Sequence, residues 1–245
     1  MQIAGSVVLI TGANRGIGRA FIDGFAAAGA AKIYAAARDP TTIVAPGVEK
    51  LRLDITDPAE VAAAAAACGD VSVLVNNAGV ATLSPLIGAP TMEGARREME
   101  TNYFGTLAMC RAFAPVLARQ GGGALINILS VASFVTGAPL GSYSASKMAQ
   151  LGLTRGVRIE LRAQGTLVIG VHPGWVDTDM TARIAVDKIT PAQVVTATLS
   201  ALAAGEEEVL PDARSMQIRA TLRENPDALQ EQAQAAWDQA QAAKS

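Results

Sequence analysis

Runs of β-forming residues alternate with longer helical segments along most of the 245-residue chain. Apolar and β-branched runs predict strands at residues 6–11, 32–37, 50–55, 71–75, 124–129 and 167–171. Between them, apolar periodicity and capping signals predict helices at residues 19–28, 57–67, 91–119, 142–162 and 191–204. This alternation is typical of an α/β domain in which a doubly wound, Rossmann-like parallel sheet has helices on both faces.

The composition supports this fold class. Half of the residues are hydrophobic and 17% are charged, fewer charges than the roughly 25% of an average soluble domain. The long uncharged segments are interrupted by glycine, asparagine and proline, so none offers the apolar stretch of about 20 residues that spans a bilayer. Parallel strands covered on both faces account for the apolar excess. Nothing ahead of the first strand resembles a signal-peptide core, and we expect a cytoplasmic protein with no membrane partner.

Charge, cysteine and histidine content exclude several functions. A net charge of -2 and a pI near 5.5 disfavour a nucleic-acid partner. Cys68 and Cys110 lie in apolar segments without CxxC spacing, as buried thiols of a reducing compartment do. Because His172 is the single histidine, we expect no His-rich metal site.

A glycine-rich turn, TGANRGIG, directly follows the first predicted strand. Gly12, Gly16 and Gly18 permit a tight turn, close approach of a pyrophosphate to bare backbone, and close packing of helix on strand. The helix that follows directs its free N–H groups at the phosphates, and Asn14 and Ile17 complete the predicted contacts of the turn. An ordinary βα turn is the alternative, but the strand before and the helix after favour dinucleotide binding.

The end of the second strand predicts which dinucleotide binds. An acidic residue about 20 positions after the glycines would bind the ribose 2′-hydroxyl of NAD, but Ala36 and Ala37 stand there. Arg38 follows, and Arg15 in the glycine turn can approach the same point. Two guanidinium groups suit a 2′-phosphate, whereas Asp39 precedes a proline and is assigned to the turn. The alternative is that Arg38 is an ordinary surface arginine at a strand end. Because two arginines converge on one predicted location, we favour NADP(H) as the cofactor.

The segment GSYSASKMAQ places a phenol and an ammonium group four residues apart, at Tyr143 and Lys147. On a helix these side chains share one face, and a neighbouring cation lowers the pKa of a phenol from its usual value of about 10. Either Tyr143 is a catalytic acid whose pKa Lys147 lowers, or the two residues only happen to share a face of the helix.

Six motifs follow one another from about residue 6 to about residue 180: TGANRGIG, NNAG, Asn102 within METNYFG, Ser130 after NIL, the Tyr143 to Lys147 segment, and HPGWVDT. Together they resemble the classical short-chain dehydrogenases/reductases, of the NADP(H)-preferring carbonyl reductase type. Beyond about residue 180 the resemblance fades. It implies hydride transfer between a nicotinamide cofactor and a carbonyl group, and it favours the catalytic interpretation of the tyrosine and lysine.

The resemblance implies a role for each catalytic candidate. Tyr143 is implied to be the general acid/base, and Lys147 to lower its pKa and to contact the nicotinamide ribose. Ser130 is implied to hydrogen-bond the substrate carbonyl oxygen, and Asn102 to hold a water in a proton relay to Lys147. Ketone reduction puts negative charge on oxygen as hydride arrives, so a positioned proton donor is what the chemistry requires.

The same resemblance extends to the cofactor. It implies that Asp54 contacts the adenine amino group and that Asn76, Ala78 and Gly79 lie beside the riboses. The nicotinamide carboxamide is implied to be held by four residues after the sixth strand: Pro173, Gly174, Val176 and Thr178. Three nearby titratable residues are interpreted as structural, capping or solvated: His172, Asp177 and Asp179.

The substrate pocket is expected between the loops that follow Gly79, Ser130 and Thr178. Its larger residues are apolar: Leu83, Leu86, Phe134, Leu140, Trp175, Met180 and Ile184. Because Arg183 is the single cation in residues 175–186, a small apolar ketone, aldehyde or secondary alcohol is favoured over a polyanion. A 3-oxoacyl carrier-protein reductase is an alternative, disfavoured because ATLSPLIGAP lacks basic residues. A catalytically quiet cofactor sensor or scaffold and a sugar-nucleotide epimerase are further alternatives.

No linker is visible, so we expect one domain over residues 1–245, with a substrate loop at about 176–190 and a helical tail at about 213–245. The tail, rich in alanine and glutamine, suits a last helix that packs on the surface or on a partner. The helices at 91–119 and 142–162 correspond to the pair through which family members assemble. Small residues on them predict a homodimer or homotetramer: Ala108, Ala112, Gly152 and Gly156.

Overall fold

The computed structural model describes residues 1–242 and contains a seven-stranded sheet. Its strands are β1 Val7–Thr11, β2 Lys32–Ala37, β3 Glu49–Arg52, β4 Val73–Asn76, β5 Ala124–Ile128, β6 Leu167–Val171 and β7 Glu208–Val209. All pairings are parallel, in the order β3-β2-β1-β4-β5-β6-β7. The strand order reverses between β1 and β4, which confirms the predicted doubly wound, Rossmann-like fold.

Helices cover both faces of the sheet. In residues 1–242 they are α1 Gly16–Ala27, α2 Pro58–Ala67, α3 Glu93–Glu98, α4 Thr106–Arg119, α5 Gly141–Leu161, α6 Pro191–Ala204, α7 Ala213–Glu224 and α8 Pro226–Ala242. Phe21 and Phe25 of α1 and Val194 of α6 pack in one buried cluster, and Val61 of α2 and Phe113 of α4 in the other. The apolar strands therefore separate two hydrophobic cores.

Some strand boundaries differ from the prediction. β3 ends at Arg52, before the predicted end at residue 55, because the Asp54 carboxylate turns the chain. Its Oδ1 accepts hydrogen bonds from the backbone N–H (3.0 Å) and the hydroxyl (2.7 Å) of Thr56. β7 was not predicted, since a strand of two residues cannot show an alternating pattern.

The predicted continuous helix over residues 91–119 is wrong. A π-helical segment, Met99–Gly105, separates α3 from α4. Within it the Asn102 carbonyl accepts a hydrogen bond from Thr106 Oγ1 (2.8 Å), while the Asn102 side chain bonds the backbone of Val80. Such segments are frequent at functional sites, and this one brings Asn102 next to the loop that follows β4.

The helical tail predicted from residue 213 forms α7 and α8, with Asn225 between them. α8 has no fully buried residue. The last three residues of the predicted tail, 243–245, lie outside the described residues. Within residues 1–242, no helix combines the length and the hydropathy that crossing a membrane requires.

Candidate active site

Loops at the carboxyl ends of the parallel strands surround a cavity of about 1300 Å³. Its wall combines the glycine turn after β1, the loops after β4, β5 and β6, the first turns of α5, and residues of α7 and α8. Open α/β sheets bind ligands at this position, where the strand order reverses.

The glycine turn lines the cavity, and close contacts require its glycines. Gly12 has a left-handed φ of +63°, and a Cβ there would lie 3.0 Å from the Cα of Ala78. Among the described residues no side chain caps the start of α1 at Gly16, so the first N–H groups of this helix are available to an anion. Gly18, predicted to bind the cofactor, does not line the cavity. A Cβ there would lie 2.1 Å from the Gly12 carbonyl oxygen, so Gly18 allows α1 to pack against the turn.

Arg15 lines the cavity together with Asn14 and Ile17, but it has an ion-pair partner. Its Nη1 lies 3.1 Å from Oδ2 of Asp179, and the two side chains are 68% and 72% exposed. Asp179, interpreted from the sequence as a capping or solvated residue, therefore links the loop after β6 to the glycine turn. Exposed ion pairs are weak, so an anionic ligand can compete for Arg15.

The carboxyl end of β2 presents Ala37, Arg38 and Asp39 to the cavity. Asp39 Oδ1 accepts hydrogen bonds from the hydroxyl (2.6 Å) and the backbone N–H (3.0 Å) of Thr41, and these bonds hold the pKa of Asp39 below its usual range. The assignment of Asp39 to the turn is confirmed. Arg38 is exposed and has no ion pair within residues 1–242, so its guanidinium is open to a ligand.

Asp54 also lines the cavity. Burial acts to raise the pKa of its carboxyl group, but the two hydrogen bonds from Thr56 and the positive charges of Arg38 and Arg52 act against it. The net effect lowers the pKa of Asp54. The side chain is therefore an ionised hydrogen-bond acceptor at neutral pH, and its contact with adenine stays a prediction.

In the loop after β4, Asn77 lines the cavity rather than the predicted Asn76. Asn76 is 3% exposed and donates to Oδ1 of Asn127 (2.9 Å), away from the cavity. Its neighbour Asn77 lines the cavity instead, with Nδ2 donating to the carbonyl groups of Thr11 (2.9 Å) and Gly12 (3.1 Å). Successive residues at a strand end face opposite sides, so a shift of one position moves the side chain out of the site.

Tyr143 and Ser130 line the cavity side by side. Burial raises the pKa of the Tyr143 phenol to about 12, while the neighbouring Ser130 hydroxyl acts to lower it and the negative charge of Glu98 to raise it further. Ser130 Oγ also accepts a hydrogen bond from the backbone N–H of Ala132 (3.1 Å). The phenol is therefore protonated at neutral pH, which is the form that a proton donor needs.

Lys147 also lines the cavity, and its effect on the pKa of Tyr143 stays a prediction. The ammonium group donates to the Ile128 carbonyl (2.9 Å) and to Oε1 of Gln150 (2.8 Å), and lies 5.8 Å from the centre of the Tyr143 ring. Burial lowers the pKa of Lys147 to about 7. Its charge is consequently lost and gained close to neutral pH.

A buried chain of hydrogen bonds continues from Lys147, and the sequence did not reveal it. Gln150 Nε2 donates to Thr106 Oγ1 (3.0 Å), and Thr106 Oγ1 donates to the Asn102 carbonyl (2.8 Å). Gln150, Thr106 and Asn102 are all 0% exposed. In this protein, side chains of two helices join Lys147 to Asn102.

Asn102, a predicted catalytic residue, does not line the cavity. Its Oδ1 accepts from the N–H of Val80, and its Nδ2 donates to the Val80 carbonyl and to Ser146 Oγ, each over 2.9 Å. A Cβ at Gly79 would lie 3.1 Å from Asn102 Oδ1 and 3.7 Å from Lys147 Nζ, so the loop approaches both residues closely. The Asn102 side chain thus fixes the loop after β4, and its proposed relay water stays a prediction.

His172 supports the Ser130 loop. It is 1% exposed, its ring stacks on Phe134 at 4.2 Å, and its Nδ1 lies 2.8 Å from Ser133 Oγ, which donates to the Ser130 carbonyl (2.5 Å). Burial lowers the pKa of His172 to about 4, so the imidazole is neutral. This geometry agrees with the structural role assigned to His172 from the sequence.

The loop after β6 lines the cavity through four predicted residues: Pro173, Gly174, Val176 and Thr178. The Gly174 N–H donates to Oδ2 of Asp212 (2.8 Å), which also caps α7. Asp177 donates its N–H to the Ile189 carbonyl (2.9 Å), and the N–H of Ile189 bonds the Trp175 carbonyl (3.0 Å). The predicted substrate loop at 176–190 is therefore closed at its base.

The predicted substrate residues divide into two groups. Five line the cavity: Leu83, Leu140, Trp175, Met180 and Ile184. Leu86 and Phe134 do not, because Leu86 lies against Gly141 and Phe134 stacks on His172. The cavity also contains residues that the sequence did not indicate: Arg96, Arg97, Arg214, Gln217, Ile218 and one face of α8. Within residues 1–242, no three His, Cys, Asp or Glu side chains are grouped for a metal ion.

The fold and the cavity define a class of protein. A doubly wound sheet carries a glycine turn suited to a dinucleotide, and Ser130, Tyr143 and Lys147 line the same cavity. This is the arrangement of a dinucleotide-dependent oxidoreductase.

The chain belongs to the short chain dehydrogenase family, whose family model matches residues 6–189. Galactitol 2-dehydrogenase of Agrobacterium fabrum is 37% identical over 187 residues, which cover 72% of this chain and 73% of that protein. A short chain dehydrogenase from Burkholderia cenocepacia, solved in complex with NADP, is 41% identical with a TM-score of 0.92, covering 95% of this chain and 99% of that one. A short-chain dehydrogenase from Sphingobium yanoikuyae, solved in complex with NADPH, is 28% identical with a TM-score of 0.77, covering 92% and 95%.

Proposed function

We propose that this protein is an NADPH-dependent carbonyl reductase, which reduces a ketone or aldehyde and oxidises the corresponding secondary alcohol in the reverse direction. The observation that carries the proposal is that Ser130, Tyr143 and Lys147 line the same cavity as the glycine turn and Arg38. The relatives solved with NADP and NADPH support this cofactor. Galactitol 2-dehydrogenase supports chemistry at an alcohol carbon.

The residues of the cavity fit NADP(H). Gly12 keeps the turn free of side-chain atoms where a Cβ would fill the space beside Ala78, which lets a pyrophosphate approach the backbone. Arg38 offers an exposed guanidinium beside the neutral Ala37, where an acid would repel a 2′-phosphate. Asp54 offers an ionised acceptor to a base amino group.

In the proposed mechanism, the bound cofactor supplies the hydride. Ser130 Oγ donates a hydrogen bond to the substrate carbonyl oxygen and holds it beside Tyr143. The Tyr143 phenol, protonated because its pKa is raised to about 12, gives its proton to that oxygen as negative charge develops. Lys147, in its charged form below pH about 7, stabilises the phenolate that Tyr143 leaves behind.

The test is a cofactor-oxidation screen with NADPH and then NADH against ketones and aldehydes of increasing size. We expect turnover with at least one apolar ketone, with NADPH as the better cofactor. Absence of turnover with every ketone and aldehyde, combined with tight NADPH binding, would instead support the cofactor sensor or scaffold.

One observation favours a second candidate, a reductase of carrier-protein-bound 3-oxoacyl chains. Arg96 and Arg97 of α3 line the cavity, are exposed, and have no ion pair within residues 1–242. Such residues could meet an acidic carrier protein. To decide between the two candidate functions, kcat/KM is compared for an acetoacetyl group linked to a carrier protein and for a free acetoacetate ester. The second candidate requires much higher kcat/KM for the linked substrate, and a loss of that difference in Arg96→Glu with Arg97→Glu.

We also propose a homodimer or homotetramer. The outer surface of the π-helical segment and α5 exposes apolar side chains, with Phe104 51% and Ile159 77% exposed. Ala108 and Ala112 line a shallow groove beside Phe104, and Gly152 on α5 faces open space. An exposed apolar groove such as the one beside Phe104 marks an interface. Light scattering at micromolar concentration checks the proposal, and a monomer would contradict it.

We propose a cytoplasmic location on the basis of the cysteines. Cys68 and Cys110 are buried free thiols, and burial raises their pKa values to about 11 and about 12. Thiols of this kind are packing residues rather than disulfide partners. Cell fractionation checks the location.

A further inference from the structure

One face of the C-terminal helix α8 is part of the cavity that contains Tyr143. Six residues of α8 line that cavity: Leu229, Gln232, Ala233, Ala236, Trp237 and Ala240. They follow one another at alternating spacings of three and one, which places them on a single helical face. α8 therefore presents a continuous stripe to the cavity.

Five of the six residues of this stripe are apolar, and Gln232 is the exception. None of its six residues is charged, and the charged residues Asp227, Glu231 and Asp238 are outside it. Leu229, Ala233 and Trp237 are partly buried although α8 has no fully buried residue. An apolar face turned toward an open cavity gains stability when an apolar ligand covers it.

α7 holds α8 in this position. Asp212 caps α7 by accepting from the Ser215 N–H (2.8 Å) and also accepts from the Gly174 N–H (2.8 Å). Arg219 of α7 pairs with Glu208 of β7 (3.0 Å). The helix that precedes α8 is thus tied to the loop after β6, on which the nicotinamide contacts are expected.

Apolar residues of a second segment line the cavity as well. Trp175, Met180 and Ile184 of the loop after β6 line the same cavity, so both tryptophans of the chain, Trp175 and Trp237, face it. A volume of about 1300 Å³ exceeds the roughly 300–1000 Å³ of a single small-molecule pocket. The cavity has room for a second molecule beside a dinucleotide.

We propose that α8 forms the wall of the substrate end of this cavity, and that the substrate carries a bulky apolar group, aromatic or branched, that rests on Leu229, Ala236 and Trp237. This inference rests on the proposed reductase function and names the substrate class of that site. A ketone with only short alkyl groups leaves the stripe uncovered. A ketone with an aryl group buries it.

Two methyl ketones, butanone and benzylacetone, provide the kinetic test because they differ by one phenyl group. Wild-type protein should favour benzylacetone in kcat/KM with NADPH. Trp237→Ala should reduce that preference about tenfold, the effect of about 1.4 kcal/mol of lost contact, while kcat/KM for butanone stays within about twofold. Gln239→Ala, an exposed residue of α8 outside the stripe, is the matched control and should change neither ratio.

A substitution that adds side-chain volume to the α8 face complements Trp237→Ala, which removes it. Ala236→Leu narrows the cavity from the same face without removing a contact, so it should raise KM for benzylacetone more than for butanone. If Trp237→Ala and Ala236→Leu change both ketones equally, α8 does not bound the substrate end. If Trp237→Ala weakens NADPH binding instead, α8 covers the cofactor and the inference is overturned.

Ligand binding can be measured without turnover. In a Trp175→Phe variant, Trp237 is the single tryptophan, and its emission should change saturably with benzylacetone and hardly at all with butanone. A saturable change combined with absence of turnover of both ketones by the wild type would refute the proposed reductase activity but support the α8 wall. Turnover of benzylacetone without any emission change would support the reductase and refute the wall.

Discussion

Two regions of the site are built in opposite ways. The first, the floor, is the buried network of Lys147, Gln150 and Thr106, and the second is the wall formed by α8. In the floor, Lys147, Gln150 and Thr106 are at most 5% exposed, and their polar atoms are joined by hydrogen bonds of 2.8 to 3.0 Å. In the wall, α8 has no fully buried residue and presents an apolar stripe to the cavity. Hydrogen bonds fix the floor, whereas α8 is held by its contact with α7.

This difference separates two tasks within one site. A buried polar network is costly to disturb, because each group that loses its partner stays away from water. Such a network suits proton chemistry, which requires fixed geometry. A partly exposed apolar face tolerates substitution, because the adjacent side chains and solvent can adjust. We therefore expect changes in the floor to affect every substrate, and changes in the wall to affect substrates selectively.

The largest effect is expected from removing the floor's charge. Lys147→Met keeps similar volume but removes the ammonium group that donates to Ile128 and Gln150. We expect kcat to fall by about 10²–10⁴-fold, the range for loss of acid–base support, with weaker NADPH binding. Steady-state kinetics and cofactor titration measure both quantities. Lys50→Met, on the exposed edge of β3, is the control, and an equal loss in both variants would contradict the role of Lys147.

The next effect concerns the cofactor. The double substitution Ala37→Asp with Arg38→Ile adds an acceptor for a 2′-hydroxyl and removes the guanidinium available to a 2′-phosphate. The wild type should prefer NADPH by about tenfold to several hundredfold in kcat/KM, as one or two Arg–phosphate contacts provide, and the variant should shift toward NADH. Arg223→Ile, outside the cavity, should leave the preference unchanged. Wild-type kcat/KM for NADH equal to that for NADPH would refute the interpretation and implicate Asp39.

A smaller effect is expected from Gln150, the link between Lys147 and Thr106. Gln150→Leu leaves the buried ammonium without one acceptor and should lower kcat about tenfold, since a lost buried hydrogen bond costs about 1–3 kcal/mol. Gln230→Leu, exposed on α8 and outside the cavity, is the control. A Gln150→Leu variant with wild-type kcat would show that the buried link is dispensable.

The pH profile distinguishes a positioning role of Gln150 from general loss of structure. Burial lowers the pKa of Lys147 to about 7, so its charge is present below that pH and lost above it. Reduction should therefore decline as pH rises through about 7. Gln150→Glu places a carboxylate beside the ammonium, raises the pKa of Lys147, and should move the decline to higher pH. Identical profiles for wild type and Gln150→Glu would contradict the account.

Local sequence patterns predicted the parts of the site that depend on near neighbours. The glycine turn is recognisable because a strand precedes it and a helix follows it, and Tyr143 and Lys147 because they are four residues apart on one helix. Asn76 was misplaced because two adjacent asparagines differ only in the side of the strand that they face. No local pattern separates them.

The remaining parts depend on contacts between distant segments. In the sequence, nothing distinguishes Gln150 from the other polar residues of α5. Its role depends on the hydrogen bond to Thr106, which is 44 positions away. The continuous helix predicted at 91–119 missed the π-helical segment, since that segment depends on the bonds of Asn102 to Val80 and Ser146. The α8 stripe resembles any amphipathic tail in sequence, and only the orientation set by α7 shows that it faces the cavity.

The most direct test of the central claim is kcat with NADPH for butanone and benzylacetone in wild type and Tyr143→Phe. The substitution removes only the phenolic proton donor, so the account predicts that kcat falls by about 10²–10⁴-fold for both ketones alike, with NADPH affinity unchanged. Turnover of either ketone by Tyr143→Phe within about tenfold of wild type, well short of the loss expected for a missing general acid, would contradict the assignment of Tyr143 and with it the proposed mechanism.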